Sequence, residues 1–163
     1  MLNKIILASK SKVRKEILDK NQIPCDVKPS SVDEDVVKES LIKELATPEI
    51  ISKNLAELKA NKVSLNQGDR LVLGADSVID LDGELISKPE SREEALVIIK
   101  KLNGKKHKLI SSVCISKNGS MIWNYTDKAE LTMKKFSKEN LKVYLSKISD
   151  EALYSYNVYQ IEG

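Results

Sequence analysis

Ser9, Ser11 and Arg14 stand within a few residues of one another directly behind the apolar run Ile5 to Ala8. From Val13 the apolar residues fall at Val13, Ile17 and Leu18, which is helical spacing, so the segment reads as a strand-to-helix turn. Hydroxyls and a guanidinium at such a turn surround the free N–H groups of a helix N-terminus, where the macrodipole favours negative charge. That chemistry suits phosphate. The same residue types also suit a simple cap, with Ser9 or Ser11 accepting from the first-turn amides.

Further along, Asp76 follows the apolar run Leu71-Val72-Leu73-Gly74. A carboxylate just beyond a strand end, after Gly74 and Ala75 that allow close approach, lies where α/β sheets keep their sites; a turn aspartate satisfying local N–H groups reads the same way. Lys88-Pro89 sets a lysine in front of a fixed backbone, and on its own it reads as a surface lysine. Glu34, between Asp33 and Asp35, offers hard oxygen ligands for Mg²⁺ or Mn²⁺ on what reads as a solvated acidic loop, Ser30 to Asp35. Lys59 lies within an apolar-leaning helix, where it either snorkels or points into an anion site. His107 is the sole histidine and reads as structural or surface.

The elements that must position these groups follow from punctuation. Ile23 to Lys28 reads as a second strand. Thr47-Pro48 starts a helix that places Ile51, Leu55, Leu58 and Val63 near one face and runs to about Asn66. Asp82-Gly83 joins the strands Val78 to Leu81 and Glu84 to Ile86. Ser91 with Glu94 caps a helix through about Leu102, and Gly104 suits its C-terminal end. Asn118-Gly119 joins Leu109 to Ser116 with Met121 to Tyr125; Ala129 to Phe136 reads as a further strand, and Ser137 opens a last amphipathic helix. The order is α/β, and the hairpins make the sheet mixed. Ser149 onward carries no readable period.

Bulk properties exclude several classes. The 163 residues fit one domain, 1–163, with no repeat or linker. Cys25 and Cys114 form no CxxC pair and have no histidine cluster, which argues for reduced thiols in the cytoplasm and against structural zinc. No apolar run approaches the roughly 20 residues that span a bilayer, so no membrane partner is expected. The 27 basic and 24 acidic residues leave only +3, with lysines set among glutamates. With one Trp, one Phe and five Tyr, nothing resembles a nucleic-acid surface, and a small anionic ligand fits better than a polymer.

The order of these pieces resembles the Maf family of nucleotide pyrophosphatases. The family's L-A-S-x-S-P-R-R-type turn stands here as Leu7-Ala8-Ser9-Lys10-Ser11-Lys12-Val13-Arg14, its G-A-D-T segment as Gly74-Ala75-Asp76-Ser77, and its G-K-P segment as Ser87-Lys88-Pro89. Its L-A-x-x-K-A helix is matched by Leu55 to Ala60, its L-S-G-x-x-H turn by Leu102-Asn103-Gly104 with His107, and its Y-G-I-Q-G-type segment by Tyr159 to Gly163. The resemblance implies a mixed, curved central sheet with flanking helices and two lobes around a cleft. It also implies metal-dependent hydrolysis of a nucleoside triphosphate to the monophosphate and pyrophosphate, with Mg²⁺ or Mn²⁺.

Carried over by position, the resemblance makes Asp76 the proton acceptor. Ser9, Ser11, Arg14, Lys59 and Lys88 become the phosphate-binding set, and Glu34 with Asp76 the metal's neighbours. Val13, Ser77 and Glu162 fall where the family sets base preference, and a glutamate at the last of these resembles the 7-methyl-GTP branch. A homodimer is compatible with the resemblance. Family members continue through further strands beyond the position of Gly163, so the sheet is expected to lack the family's last strands. The competing expectation is a non-catalytic nucleotide-binding or cell-division-linked interaction protein.

Overall fold

The computed structural model describes residues 4–159. In chain order these form β1 (Ile5–Leu7), α1 (Lys12–Lys20), β2 (Cys25–Val27), α2 (Glu34–Lys43), α3 (Pro48–Ser64), β3 (Val72–Leu81) and β4 (Glu84–Ile86). There follow α4 (Arg92–Leu102), β5 (Lys106–Lys117), β6 (Ser120–Thr132), α5 (Lys138–Lys147) and α6 (Asp150–Tyr156). The α/β expectation holds. The strands make a six-stranded sheet in the order β2-β1-β3-β5-β6, with β4 added on β3. It is mixed: β1 runs parallel to β2 and to β3, whereas β3 and β4 are antiparallel.

Local chemistry sets most boundaries. Ser11, Asp33, Thr47, Ser91, Ser137 and Ser149 each accept from the amide three residues on, and each starts a helix. Asp82 and Gly83 take φ of +50° and +89°, and Asn118 and Gly119 take +51° and +80°. Positive φ at both central residues is the twist-matched hairpin turn that Asp-Gly and Asn-Gly favour.

Three expectations are corrected. The break read at Ala75-Asp76-Ser77 does not exist: β3 is one strand from Val72 to Leu81, and Asp76 sits in its middle, not past its end. Side chains from α1 and α3 take up the backbone carbonyls there, so a polar stretch stays extended. Likewise, Met121 to Tyr125 and Ala129 to Phe136 are not two strands. β6 runs unbroken to Thr132, because on an edge strand exposed along nearly its whole length Asp127, Lys128 and Glu130 face water without cost. Finally, Ser30 to Asp35 is only partly loop, since Asp33 caps α2 and Glu34 is its first residue. α2 buries no side chain. Beyond Ser149, where no period was readable, α6 forms and buries Leu153.

The chain divides into two compact units, one comprising residues 1–77 and 110–128, the other 78–109 and 129–163. In the first, Ile6, Ala8 and Val72 form one cluster, and Ala56 and Ala60 of α3 pack on Cys114 of β5. In the second, Ile79, Ile86, Ile99, Leu102, Leu141 and Leu153 belong to a single buried cluster. Each fully buried aliphatic side chain of this kind contributes about 1.5–3 kcal/mol.

Candidate active site

β1 pairs with β3 only at Val72 and Leu73, and its last bond to that strand is Ala8 N–H to the Leu73 carbonyl at 2.8 Å. Two residues on, the Ala75 carbonyl points the same way by strand alternation, but β1 has ended. A backbone acceptor there needs a partner. It receives two cations: Arg14 Nη1 at 3.1 Å and Lys59 Nζ at 3.2 Å. The next carbonyl, of Asp76, accepts from Ser52 Oγ at 3.1 Å.

Gly74 brings α3 close enough for this. A Cβ at that position would fall into the Ala56 carbonyl and within 2.8 Å of the Ala60 nitrogen. Only a residue without a side chain lets the helix backbone lie against the strand. Lys59, adjacent to Ala60, is thereby pressed inward, 5% exposed. It does not snorkel. Its Nζ lies 3.0 Å from Asp76 Oδ1 and 2.6 Å from Glu34 Oε1.

Asp76 is itself 5% exposed, and its second oxygen, Oδ2, is buried with no hydrogen-bond partner. Burial pushes its carboxyl above the usual carboxylate range. Lys59 and Arg14 oppose that rise, and Glu34 adds to it. Burial pushes the Arg14 guanidinium down, with Asp76 and Glu34 drawing it back up. Two acids and two bases thus balance in one small volume, as buried charge requires. A buried carboxylate with one oxygen held by a lysine and the other unpartnered can take a proton from water or ligate a hard cation.

Other anticipated residues are placed less centrally. Ser9 is buried, and its Oγ accepts from Arg14 Nη1 at 2.9 Å and from the Ser11 amide at 3.2 Å. Ser11 Oγ accepts from the Arg14 amide at 3.3 Å, so the capping role exists. Val13 is half-buried in the first turn of α1. Ser77 is exposed, its hydroxyl 3.0 Å from that of Ser111. Lys88 is exposed in the connection from β4 to α4, within the second unit. Glu162 lies outside the described residues.

His107 has the structural role expected: in the second unit its Nε2 lies 2.8 Å from the Tyr159 hydroxyl. Burial raises the Tyr159 pKa to about 12. The first unit therefore offers no imidazole, and Asp76 is its buried titratable group with an oxygen to spare. Among the described residues no set of three or more His, Cys, Asp or Glu could hold a metal ion. Glu34 and Asp76 are the pair of hard donors present. Ser52 and Ser111 were missed in the sequence. For Ser52 a signal existed, since it precedes Lys59 by seven residues, two helical turns, on the same face.

The model of the Maf-like protein family matches residues 4–163. A nucleoside triphosphate pyrophosphatase of Pelagibacter ubique is 68% identical over 163 residues, 100% of this chain and 84% of that protein. A 7-methyl-GTP pyrophosphatase of Brucella abortus is 34% identical over 100% of this chain and 82% of that one. Among solved structures, the Staphylococcus aureus Ham1 protein aligns at 15% identity and a TM-score of 0.46, covering 94% of this chain and 95% of that one. The family model spans both the strand that carries Asp76 and the helix that carries Lys59, and on that match the chain belongs to the Maf-like family.

Proposed function

We propose that this chain hydrolyses a nucleoside triphosphate between its α- and β-phosphates, releasing pyrophosphate and the nucleoside monophosphate. It is a hydrolase acting on acid anhydrides. The observation that carries the reading is Asp76, a buried carboxylate with Oδ2 unpartnered beside Lys59 and near Arg14. Asp76 accepts the proton of the attacking water, as a carboxylate whose second oxygen is not committed to Lys59 can. Ser9, Ser11, Arg14 and Lys59 bind phosphate oxygens, and the family resemblance gives Lys88 the same role. Arg14 commits Nη1 to Ser9 and Ala75, and a guanidinium has further donors to offer. Catalysis of phosphoanhydride cleavage is mostly positioning and charge neutralisation, which such groups supply.

A divalent cation fits the donor set. Asp76 Oδ2 and the Glu34 carboxylate are hard oxygens, and Mg²⁺ commonly takes one or two carboxylates together with substrate phosphates and water. When bound, Mg²⁺ or Mn²⁺ neutralises phosphate charge and lowers the pKa of a bound water. Glu34 would give up its hold on Lys59, freeing that ammonium for phosphate.

Base preference is assigned to Val13, Ser77 and Glu162, with 7-methyl-GTP as the preferred substrate. A carboxylate accepts from the N1–H and N2–H₂ edge of guanine, and the Brucella abortus relative is named for that nucleotide. The substrate is a free nucleotide of the cytoplasm, and the assembly is a homodimer, checked by light scattering. No helix among the described residues is long and apolar enough to cross a membrane.

The test is pyrophosphate release with Mg²⁺ and with Mn²⁺ across 7-methyl-GTP, GTP, UTP and dTTP, with Asp76→Asn as control. Release that vanishes in the variant supports the reading. Nucleotide binding without release from any substrate overturns it in favour of a non-catalytic binder.

A further inference from the structure

α3 reaches the strand under Asp76 at two places, two turns apart. Lys59 holds the carboxylate, and Ser52 holds the main chain. Ser52 is completely buried, at 0% exposure. A serine inside a helix has a ready partner in the carbonyl one turn back, and a buried hydroxyl must have some partner. Here Ser52 Oγ donates instead across to β3, to the Asp76 carbonyl, at 3.1 Å. That bond fixes the peptide leading from Asp76 into Ser77. The residue is thus held at two points, its backbone by Ser52 and its Oδ1 by Lys59 at 3.0 Å, and Oδ2 is left buried without a partner.

We infer that Ser52 is a positioning residue for Asp76, acting through the main-chain bond to set where Oδ2 points. The inference rests on the proposed role of Asp76 in pyrophosphate release. It separates geometry from binding: Ser52 contacts no surface a nucleotide could reach, so its loss leaves substrate affinity alone and misaims the carboxylate. Ser52→Ala removes the hydroxyl, and Ser52→Cys refills the volume with a weak donor.

Steady-state pyrophosphate release is measured for wild type, Ser52→Ala and Ser52→Cys under saturating Mg²⁺, with thermal melts to confirm folding. A misplaced catalytic group costs up to about 100-fold, so both variants are expected to lose about 10- to 100-fold in kcat with KM within about twofold of wild type. Wild-type kcat in Ser52→Ala overturns the inference, and so does a loss of kcat in Ser52→Ala accompanied by a proportionate rise in KM, which would assign Ser52 to packing alone. A wild-type protein that releases no pyrophosphate overturns the pyrophosphatase reading itself and this inference with it. Active wild type with unaffected variants overturns the inference only.

Discussion

Lys59 Nζ bonds one oxygen of Asp76, Oδ1, at 3.0 Å, and the other oxygen of the same carboxylate is buried without a partner. Asp76→Asn keeps the shape and the acceptor facing Lys59 while removing the base. Turnover is expected to fall by about 100- to 10,000-fold, the usual contribution of a general base. Stability should not fall with it. Because the fold holds the carboxyl above its unfolded range, the protonated form is favoured on folding and the charge present at neutral pH is a cost, so stability declines as pH rises through that window. The asparagine removes that cost. A melt at pH 7 should show the variant at or above wild type, and a clear drop would mean the charge is net stabilising.

Lys59→Met takes the cation from between two acids. Removing the cation leaves buried Asp76 without its ion partner, at a cost of about 3–5 kcal/mol, whereas in Asp76→Asn Lys59 keeps its pair with Glu34. Glu34 is more exposed than Asp76 and can turn to water, so the lower end of that range is expected. Urea denaturation of Lys59→Met, Asp76→Asn and the double variant gives the coupling directly; the double variant should recover part of the loss.

Gly74→Ala should damage stability and activity together. The added methyl meets the α3 backbone at Ala56 and Ala60, which cannot yield as a side-chain tip can. Overpacking of this kind costs about 1–3 kcal/mol or more. The relief available is to move α3 off the strand, carrying Lys59 and Ser52 away from Asp76. A variant that melts like wild type and turns over normally would show that α3 does not need this close approach.

Ser11 has a cap to keep and, in the proposed function, a phosphate to bind. Ser11→Ala should lose about 1 kcal/mol through the cap and also raise KM. Ser11→Asp separates the two, since aspartate caps as well as serine but sets a negative charge where phosphate would lie. It should melt near wild type with a KM above that of the alanine variant. An unchanged KM in both would leave Ser11 as a cap only.

The single histidine gives a pH signature unrelated to turnover. Burial lowers the His107 pKa below its usual value, with the Lys105 backbone opposing. Nδ1 finds no partner of good geometry. The unfolded chain therefore binds this proton at higher pH than the folded one, and stability falls as pH drops below about 6.5. His107→Gln should flatten the melting temperature between about pH 5 and 6.5. If wild type and variant follow parallel curves there, the ring is not held neutral by burial.

Much of this was legible because it was local. Ser11, Thr47, Ser91 and Ser137 announced their helices, and Asp82-Gly83 and Asn118-Gly119 their turns, since each is decided by the residue and its neighbours within a few positions. Asp76, Arg14, Ser9 and Lys59 were picked out from sequence, and the structure brings them together with Glu34. What escaped depends on partners far along the chain. Asp76 reads as a strand end until α3, seated on Gly74, is known to supply the bonds that keep β3 extended. β6 reads as two strands until its position at the sheet edge shows why charge is tolerated. Ser52 looks like one more helical serine until its acceptor, 24 residues away, is seen.

The Ala75 carbonyl holds two cations without bringing a charge of its own. Had a third carboxylate stood there, the cluster of Arg14, Lys59, Glu34 and Asp76 would carry a net negative charge and repel the polyphosphate proposed as its substrate. A peptide dipole anchors the guanidinium and the ammonium without adding to the two carboxylates that already balance them. The early end of β1 is what frees that dipole, so the point at which one strand stops keeps the cluster at charge balance instead of net negative.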